Sequence, residues 1–455
     1  MAGGLGGGRL GAGELSIAAR LDRLPILPFH RKLLALIGAG MFFDSFDIYL
    51  AGSVLGALVH DHWSDIATNG RFISMTFVGM VIGAAGAGWL GDRFGRRFTY
   101  QFNLAIFGVG SLACAVAPTM GWLIAARFVS GVGLGAEIVI GYATMLEFIP
   151  PAARGRWAAL LSLVTNFGLF VSTLLAWQII PAFGWRPMFL IAAIGAFIVL
   201  WLRKAIPESP RWLAANGRMA EAEAIVAMAE AGAAPGTLPA LAAAPLAAAG
   251  LTTGEFIRRA VVGSVMQAVL GIAIYGFVVW VPTFLVSHGM GITQSLGQSV
   301  LMSFGGPAGA ALGWVLSDRL GRRPAIIGGS LLAALCGMAF PFATSQTMAV
   351  VLGFATFTLI YFLVAVIVAG YVPELFPTAS RMRGNAITSV VGRLTAMVVP
   401  IAVVWLFARG GVPYVLGGVA AALVVQALLA ALYRVETSGR SLEAIAGELG
   451  APPGR

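Results

Sequence analysis

The chain has 455 residues, 59% of them hydrophobic and only 11% charged, with a mean hydropathy of +0.89 and a formal charge of +10. So few charges cannot cover a water-facing surface, which excludes an ordinary soluble enzyme and points to a polytopic membrane protein. The basic excess lies in short loops between apolar runs and forms no separate basic domain, so membrane orientation accounts for it and nucleic-acid binding is not expected.

Residues 1–32 are Gly-rich at their start and lack the apolar core of a cleavable signal, and Arg20, Arg23, Arg31 and Lys32 precede the first long apolar run. They are read as a cytoplasmic tail in which Leu15–Leu24 can lie as an amphipathic helix on the membrane surface. Twelve spans are then predicted, near 33–59, 70–91, 99–117, 121–149, 157–180, 186–205, 256–286, 295–317, 324–343, 347–374, 384–408 and 412–433. The fold class is therefore all-α: one six-helix bundle over 33–205, a second over 256–434, a linker at 206–255 and a tail at 435–455. In the linker, Arg211–Ala231 has helix-forming composition and Ala233–Gly250 is an uncharged Ala/Pro-rich connector. With both termini inside, only Arg71, Arg186 and Arg409 fall near outer loops, which selects that orientation. Cys114 and Cys336 lie within spans and read as small apolar side chains.

The chain repeats itself. Gly88–Arg97 (GWLGDRFGRR) returns as Ser317–Arg323 (SDRLGRR), with Asp92 and Asp318 226 positions apart. Glu147–Arg154 (EFIPPAAR) returns as Glu374–Arg381 (ELFPTASR), 227 positions on. Tandem halves with even numbers of spans are parallel repeats about an axis along the membrane normal, with a substrate site between them near mid-membrane.

Charges deep in a bilayer are costly unless paired or hydrated, so Asp44, Asp47, Arg127, Glu137 and Arg393 are functional candidates. Asp44 and Asp47 share one helix face. Asp47 falls ~21 Å from the inner surface and Arg127 ~9 Å below the outer one, depths that coincide in a core of ~30 Å. An Asp47–Arg127 pair is expected, serving either proton coupling or a fixed structural bond. Asp44 can be a second proton site or a contact for a substrate hydroxyl. Glu137 follows Gly131, Gly133 and Gly135, which let the fourth span approach a neighbour closely, and it is either a buried hydrogen-bonded acid or a titrating one. Arg393, ~14 Å from the inner surface, has no acid at its depth in its own bundle. It can bind a substrate carboxylate bidentately or lock the bundles together through Asp44 or Glu137. Phe43, Phe46, Asn166, Gln267, Tyr275 and Tyr361 are candidate cavity residues, suited to a planar substrate, with helix packing as the competing role. His60 and His288 read as loop residues.

Four motifs together carry a resemblance: the paired DRxGRR turns, Arg127-Phe-Val-Ser-Gly131-Val-Gly133, Pro207-Glu-Ser-Pro-Arg211 and Glu436-Thr-Ser-Gly-Arg-Ser-Leu-Glu443. The chain resembles the major facilitator superfamily over Leu33–Glu448, and within it the sugar-porter and organic-acid:proton-symporter branches. The resemblance implies alternating access by two rocking bundles. It also implies that the turns act as inner gates, with Asp92, Arg93, Arg97, Glu147 and Arg154 in the first half and Asp318, Arg319, Arg323, Glu374 and Arg381 in the second. The seventh span carries Gln267-Ala-Val-Leu-Gly271, an incomplete version of the sugar-porter hexose set. Its outer end, Trp280-Val-Pro282-Thr-Phe-Leu285, and Asp44-Ser-Phe-Asp47 in the first span are similar to aromatic-acid:proton symporters, with Ser45 in place of the Gly of their D-G-x-D signature.

The expectation is an inner-membrane, monomeric symporter importing a small organic carboxylate, plausibly aromatic, with protons as coupling ion and no other cofactor. A sugar or polyol porter, an exporter and a non-transporting nutrient receptor are the alternatives. No metal-ligand cluster, phosphate loop or nucleophile motif suggests an enzyme.

Overall fold

The computed structural model describes residues 17, 19–150, 153–233, 251–376 and 380–433, apart from a few side chains within these ranges. The amino-terminal half is six long helices: α1 (Pro28–His60), α2 (Ile66–Phe94), α3 (Arg96–Ala115), α4 (Met120–Phe148), α5 (Arg154–Phe183) and α6 (Arg186–Leu202). Their ends are set by ordinary local chemistry. Pro28 opens α1, and Asp65 and Thr119 cap α2 and α4 by accepting the Thr68 and Trp122 backbone N–H groups. The α2–α3 turn is made by Gly95 at φ +91°, and its repeat 226 positions later, Gly321, has φ +82°.

Two short helices follow, α7 (Pro210–Ala215) and α8 (Met219–Glu230), where a single surface helix over Arg211–Ala231 was expected; the chain breaks at Gly217, which has φ +75°. Ala222, Val226 and Ala229 of α8 are buried in one cluster with Ile17, Leu21 and Leu24. The segment before α1 thus packs its apolar side on α8 and not on a membrane surface. Arg20 and Arg23 close the contact on Glu230, at 2.5 and 2.8 Å. The hydrogen bond from Arg20, reinforced by Arg23, holds the Glu230 carboxyl below the usual glutamate range.

The second half contains α9 (Thr253–Ala273), α10 (Val281–Ser287), α11 (Ile292–Ser303), α12 (Gly305–Leu320), α13 (Arg322–Ala339), α14 (Gln346–Val366), α15 (Val372–Glu374) and α16 (Arg381–Leu432). Two spans are interrupted by π turns, and one long helix holds two spans. A π turn at Ile274–Val278 joins α9 to α10, and another at Ile367–Tyr371 joins α14 to α15. Non-helical backbone at Gly410 and Gly411 divides α16 into two spans. By length and apolarity ten helical segments can each cross a membrane, one being the divided α16; with α16 counted as two and α11–α12 as another span, the described chain has twelve.

Within the first bundle α2 packs on α4, α3 on α4 and α6, and α1 on α5; in the second α9 and α13 pack on α16, and α12 and α13 on α14. The α2–α4 contact is backbone on backbone: a methyl group on Gly131 would overlap the Thr76 carbonyl, and one on Gly135 the Met80 carbonyl. The halves meet where α2 touches the first part of α16, α5 touches α11 and α12, and α1 touches α10. Outward faces carry exposed Trp89, Phe98, Trp201, Leu335 and Leu428, a surface fit for lipid. The end bearing Gly95 and Gly321, with the arginines that flank them, is the basic end of the molecule.

Candidate functional site

Asp47 and Arg127 are both sealed from solvent, and Arg127 Nη1 lies 2.5 Å from Asp47 Oδ2. The expected pair between the first and fourth spans is therefore formed. Ser111 Oγ donates to Asp47 Oδ1 at 3.4 Å, and Arg127 Nε donates to Thr76 Oγ1 at 3.3 Å. The guanidinium lies against the Phe72 and Phe189 rings, 5.2 and 5.6 Å from their centroids. Charge pairing plus hydrogen bonds and ring faces are what a buried guanidinium requires.

Nearer the basic end, the structure corrects the sequence reading. Glu137 faces Arg203, whose Nη1 is 2.5 Å from Glu137 Oε1, and both are fully buried. Arg203 lies at the inner end of the predicted sixth span, 186–205, and is not among the buried charges expected from the sequence. A 3₁₀ turn at Arg203–Ala205 sends its side chain inward, where Nε and Nη2 donate to the Leu36 and Ile37 carbonyls of α1 and the guanidinium stacks on Tyr100. Asp44, one turn from Asp47, is buried with no hydrogen-bond partner for either carboxyl oxygen among the described residues.

Arg393 lies at the seam between the halves. Its Nη1 donates to the Gly135 carbonyl of α4 at 3.4 Å, and no carboxylate pairs with it among the described residues. The expected alternative of a lock to Asp44 or Glu137 is not formed, since Glu137 is held by Arg203. Tyr275 is within electrostatic reach of Arg393 and Tyr49, and packs edge-on to Phe77 at 4.4 Å. Tyr361 donates its hydroxyl to Tyr49 across the seam at 2.6 Å. Gln267 borders the same strip of α16, where a methyl on Gly392 would meet its Cβ at 3.3 Å. One guanidinium and three tyrosines from both halves thus converge.

Tyr49 was not singled out in the sequence, although it lies three and seven residues before Gly52 and Gly56, the positions where α1 approaches the α10 region. The other cavity candidates do not join this cluster. Phe43 packs against Gly195 of α6, and Phe46 is buried among Phe42, Phe43 and the α5 backbone at Gly168. Asn166 bonds back to Ser162 of its own helix.

At the basic end the repeat produces matched ion pairs, but through different arginines from those expected. Arg96 Nη2 is 3.3 Å from Glu147 and its Nη1 3.0 Å from Asp92; Arg322 is 3.1 Å from Glu374. Arg93 instead lies over the Trp89 and Phe94 rings, and Arg319 is exposed. Arg97 and Arg323 donate to carbonyls, of Lys204 and of Ala430 and Ala431. The side chains of Arg154, Asp318 and Arg381, and all of Glu436–Glu443, lie outside the described residues. The Pro207–Arg211 motif ties the linker to this turn: Glu208 accepts the Arg96 and Arg97 backbone N–H groups at the start of α3, and Arg211 reaches the Glu147 carbonyl and Asp22.

Two internally repeated six-helix halves, acid–guanidinium pairs buried within the first and a cluster at the seam define a membrane transporter of the major facilitator fold. The chain belongs to the sugar (and other) transporter family, whose model matches residues 47–449. It is 34% identical to the inner membrane metabolite transport protein YdjE of Escherichia coli over 446 residues, 94% of this chain and 98% of that one. It is 30% identical to the niacin transporter NiaP of Acinetobacter baylyi, covering 95% of this chain and all of that one. The xylose transporter XylE of Escherichia coli, in a partially occluded inward-open conformation, superposes with a TM-score of 0.70 at 17% identity over 91% of this chain and 99% of that one. These relatives and neighbours are transporters and not enzymes; the chain is an integral membrane transporter of metabolite or sugar type.

Proposed function

We propose that the chain imports a small organic carboxylate, with aromatic acids the best-fitting class, together with protons. The observation that carries this is Arg393, a guanidinium at the seam with no carboxylate partner among the described residues and with Tyr275 beside it, which in turn neighbours the Tyr49–Tyr361 pair. A carboxylate supplies the missing counter-charge through two parallel hydrogen bonds, and tyrosine faces accept a planar ring. NiaP supports the class, since niacin is an aromatic carboxylic acid. The family model's sugar members favour a sugar or polyol as the second reading, but a sugar leaves the guanidinium uncompensated.

In this reading the basic end and both termini face the cytoplasm of a bacterial-type inner membrane, as the distribution of Lys and Arg in the loops directs. The protein works as a monomer. Asp47 is the coupling carboxyl: beside Arg127 it holds no proton, and when rocking of the halves draws Arg127 away it takes one. Binding of cargo at Arg393 and of H⁺ at Asp47 then both favour the same movement, which is the linkage that symport needs. The test is uptake of labelled nicotinate into proteoliposomes under an imposed inward proton gradient, against empty liposomes and a protonophore. Accumulation of xylose in place of nicotinate would move the assignment to the second reading.

A further inference from the structure

The coupling reading uses Asp47 and Arg127 and leaves the neighbouring charges without a task. Among the described residues, the fully buried carboxyls of the amino-terminal half are Asp44, Asp47 and Glu137, and its fully buried guanidinia are Arg127 and Arg203. Each guanidinium already faces a carboxyl at 2.5 Å. The third carboxyl, Asp44, lies within electrostatic reach of Glu137, Arg203 and Asp47 and has no hydrogen-bond donor at either oxygen. Among the described residues, neither Glu137 oxygen has a hydrogen-bond partner beyond its ion pair.

The other polar groups facing this pocket do not balance the charge. Tyr100 offers its ring to Arg203. His30, further toward the basic end, accepts the Leu27 N–H at Nδ1 and lies 3.2 Å from the Phe148 carbonyl through Nε2, an arrangement of a neutral imidazole. Were all three acids ionised, the apolar interior of this half would hold one uncompensated negative charge, which a bilayer-buried site does not tolerate.

We propose that Asp44, Glu137 and Arg203 form a second proton-binding centre, distinct from the Asp47–Arg127 pair, in which two carboxyls share one guanidinium and one proton. The proton resides on Asp44 while Glu137 holds Arg203. The pocket is built for this sharing. Arg203 is pinned by two α1 carbonyls, and Gly40, one turn before Asp44, leaves the space it fills: a methyl there would overlap the guanidinium and come within 2.6 Å of Glu137 Oε1. Moving the proton from Asp44 to Glu137 exchanges which carboxylate Arg203 faces, with no net change in charge. Its use, a second H⁺ carried per cycle and released toward the basic end, rests on the coupling reading above; occupancy of the centre does not.

Occupancy can therefore be tested without any cargo, by the carboxylic-acid C=O stretch in infrared spectra of the full-length protein in liposomes at neutral pH. The wild type is expected to show a protonated-carboxyl band that is lost in Asp44→Asn and shifted in Asp44→Glu. Glu137→Gln also removes it, because Arg203 becomes free to pair with Asp44. Arg203→Met doubles it, because two neighbouring carboxyls then lack a counter-charge. Absence of the band in the wild type, or its survival in Asp44→Asn, overturns the proposal. Either result leaves the Asp47 reading standing, whereas full proton-driven uptake in Asp47→Asn with the band intact would sink that reading and not this one.

Discussion

Arg393→Ala is the most informative single change. The guanidinium has five N–H donors, and the only hydrogen bond it makes among the described residues is a long one, 3.4 Å to the Gly135 carbonyl, so a fork is free for a ligand. Truncating one partner of a buried, hydrogen-bonded charge pair costs about 2–5 kcal/mol. That converts to a loss on the order of 30-fold to several-thousand-fold in Kd for a carboxylate. Titration calorimetry on purified protein, with nicotinate and its uncharged amide, reads this directly. The wild type should prefer the acid, Arg393→Ala should weaken the acid and leave the amide unchanged, and Arg393→Lys should recover only part, since a point charge cannot make the planar fork. Equal affinity for acid and amide in the wild type, or an acid affinity unmoved by Arg393→Ala, would refute the reasoning.

Other perturbations probe other layers. Asp47→Asn should abolish uptake driven by a proton gradient while sparing counterflow exchange of preloaded liposomes, and full gradient-driven accumulation would remove Asp47 from coupling. Gly131→Ala drives a methyl into the Thr76 carbonyl and should cost about 1–3 kcal/mol, seen as a lowered Tm in detergent. Glu230 is held below the usual glutamate range by Arg20 and Arg23, so its contribution is present above that range and is lost as the pH falls through its lowered value. Acidification, or Glu230→Gln at neutral pH, should increase hydrogen exchange over residues 19–24 and α8 alone.

The Asp47–Arg127 pair was legible before any coordinates because helix rise and bilayer thickness fix the depth of a residue from its distance to a span end. The twelve spans were legible for the same reason, and the packing role of Gly131 and Gly135 from their spacing. Arg203 was not, because a residue at a span end normally snorkels to water, and only the 3₁₀ turn after α6 turns it inward. Among the described gate arginines, the partners of Glu147 and Glu374 are Arg96 and Arg322, which the motif reading did not name. Arg96 and Arg322 follow the positive-φ glycines and start their helices, so they face Glu147 and Glu374, while Arg93 sits on the preceding helix against Trp89. The signal was present, since Arg96 and Arg322 repeat at the same 226-residue interval as the aspartates. Phe43 shares α1 with the two aspartates but turns toward α6, which composition cannot reveal.

Within the span of the helices, the seam is crossed by neutral hydroxyls: Tyr361 to Tyr49 at 2.6 Å, and Thr173 to Ser303 at 2.8 Å. Water can replace such bonds one for one, and each is worth only about 0.5–1.5 kcal/mol net. No described ion pair joins one half to the other, so parting the halves severs no described salt bridge. What crosses the seam is therefore helix packing and neutral hydrogen bonds, contacts that can be remade in another register without stranding a buried charge.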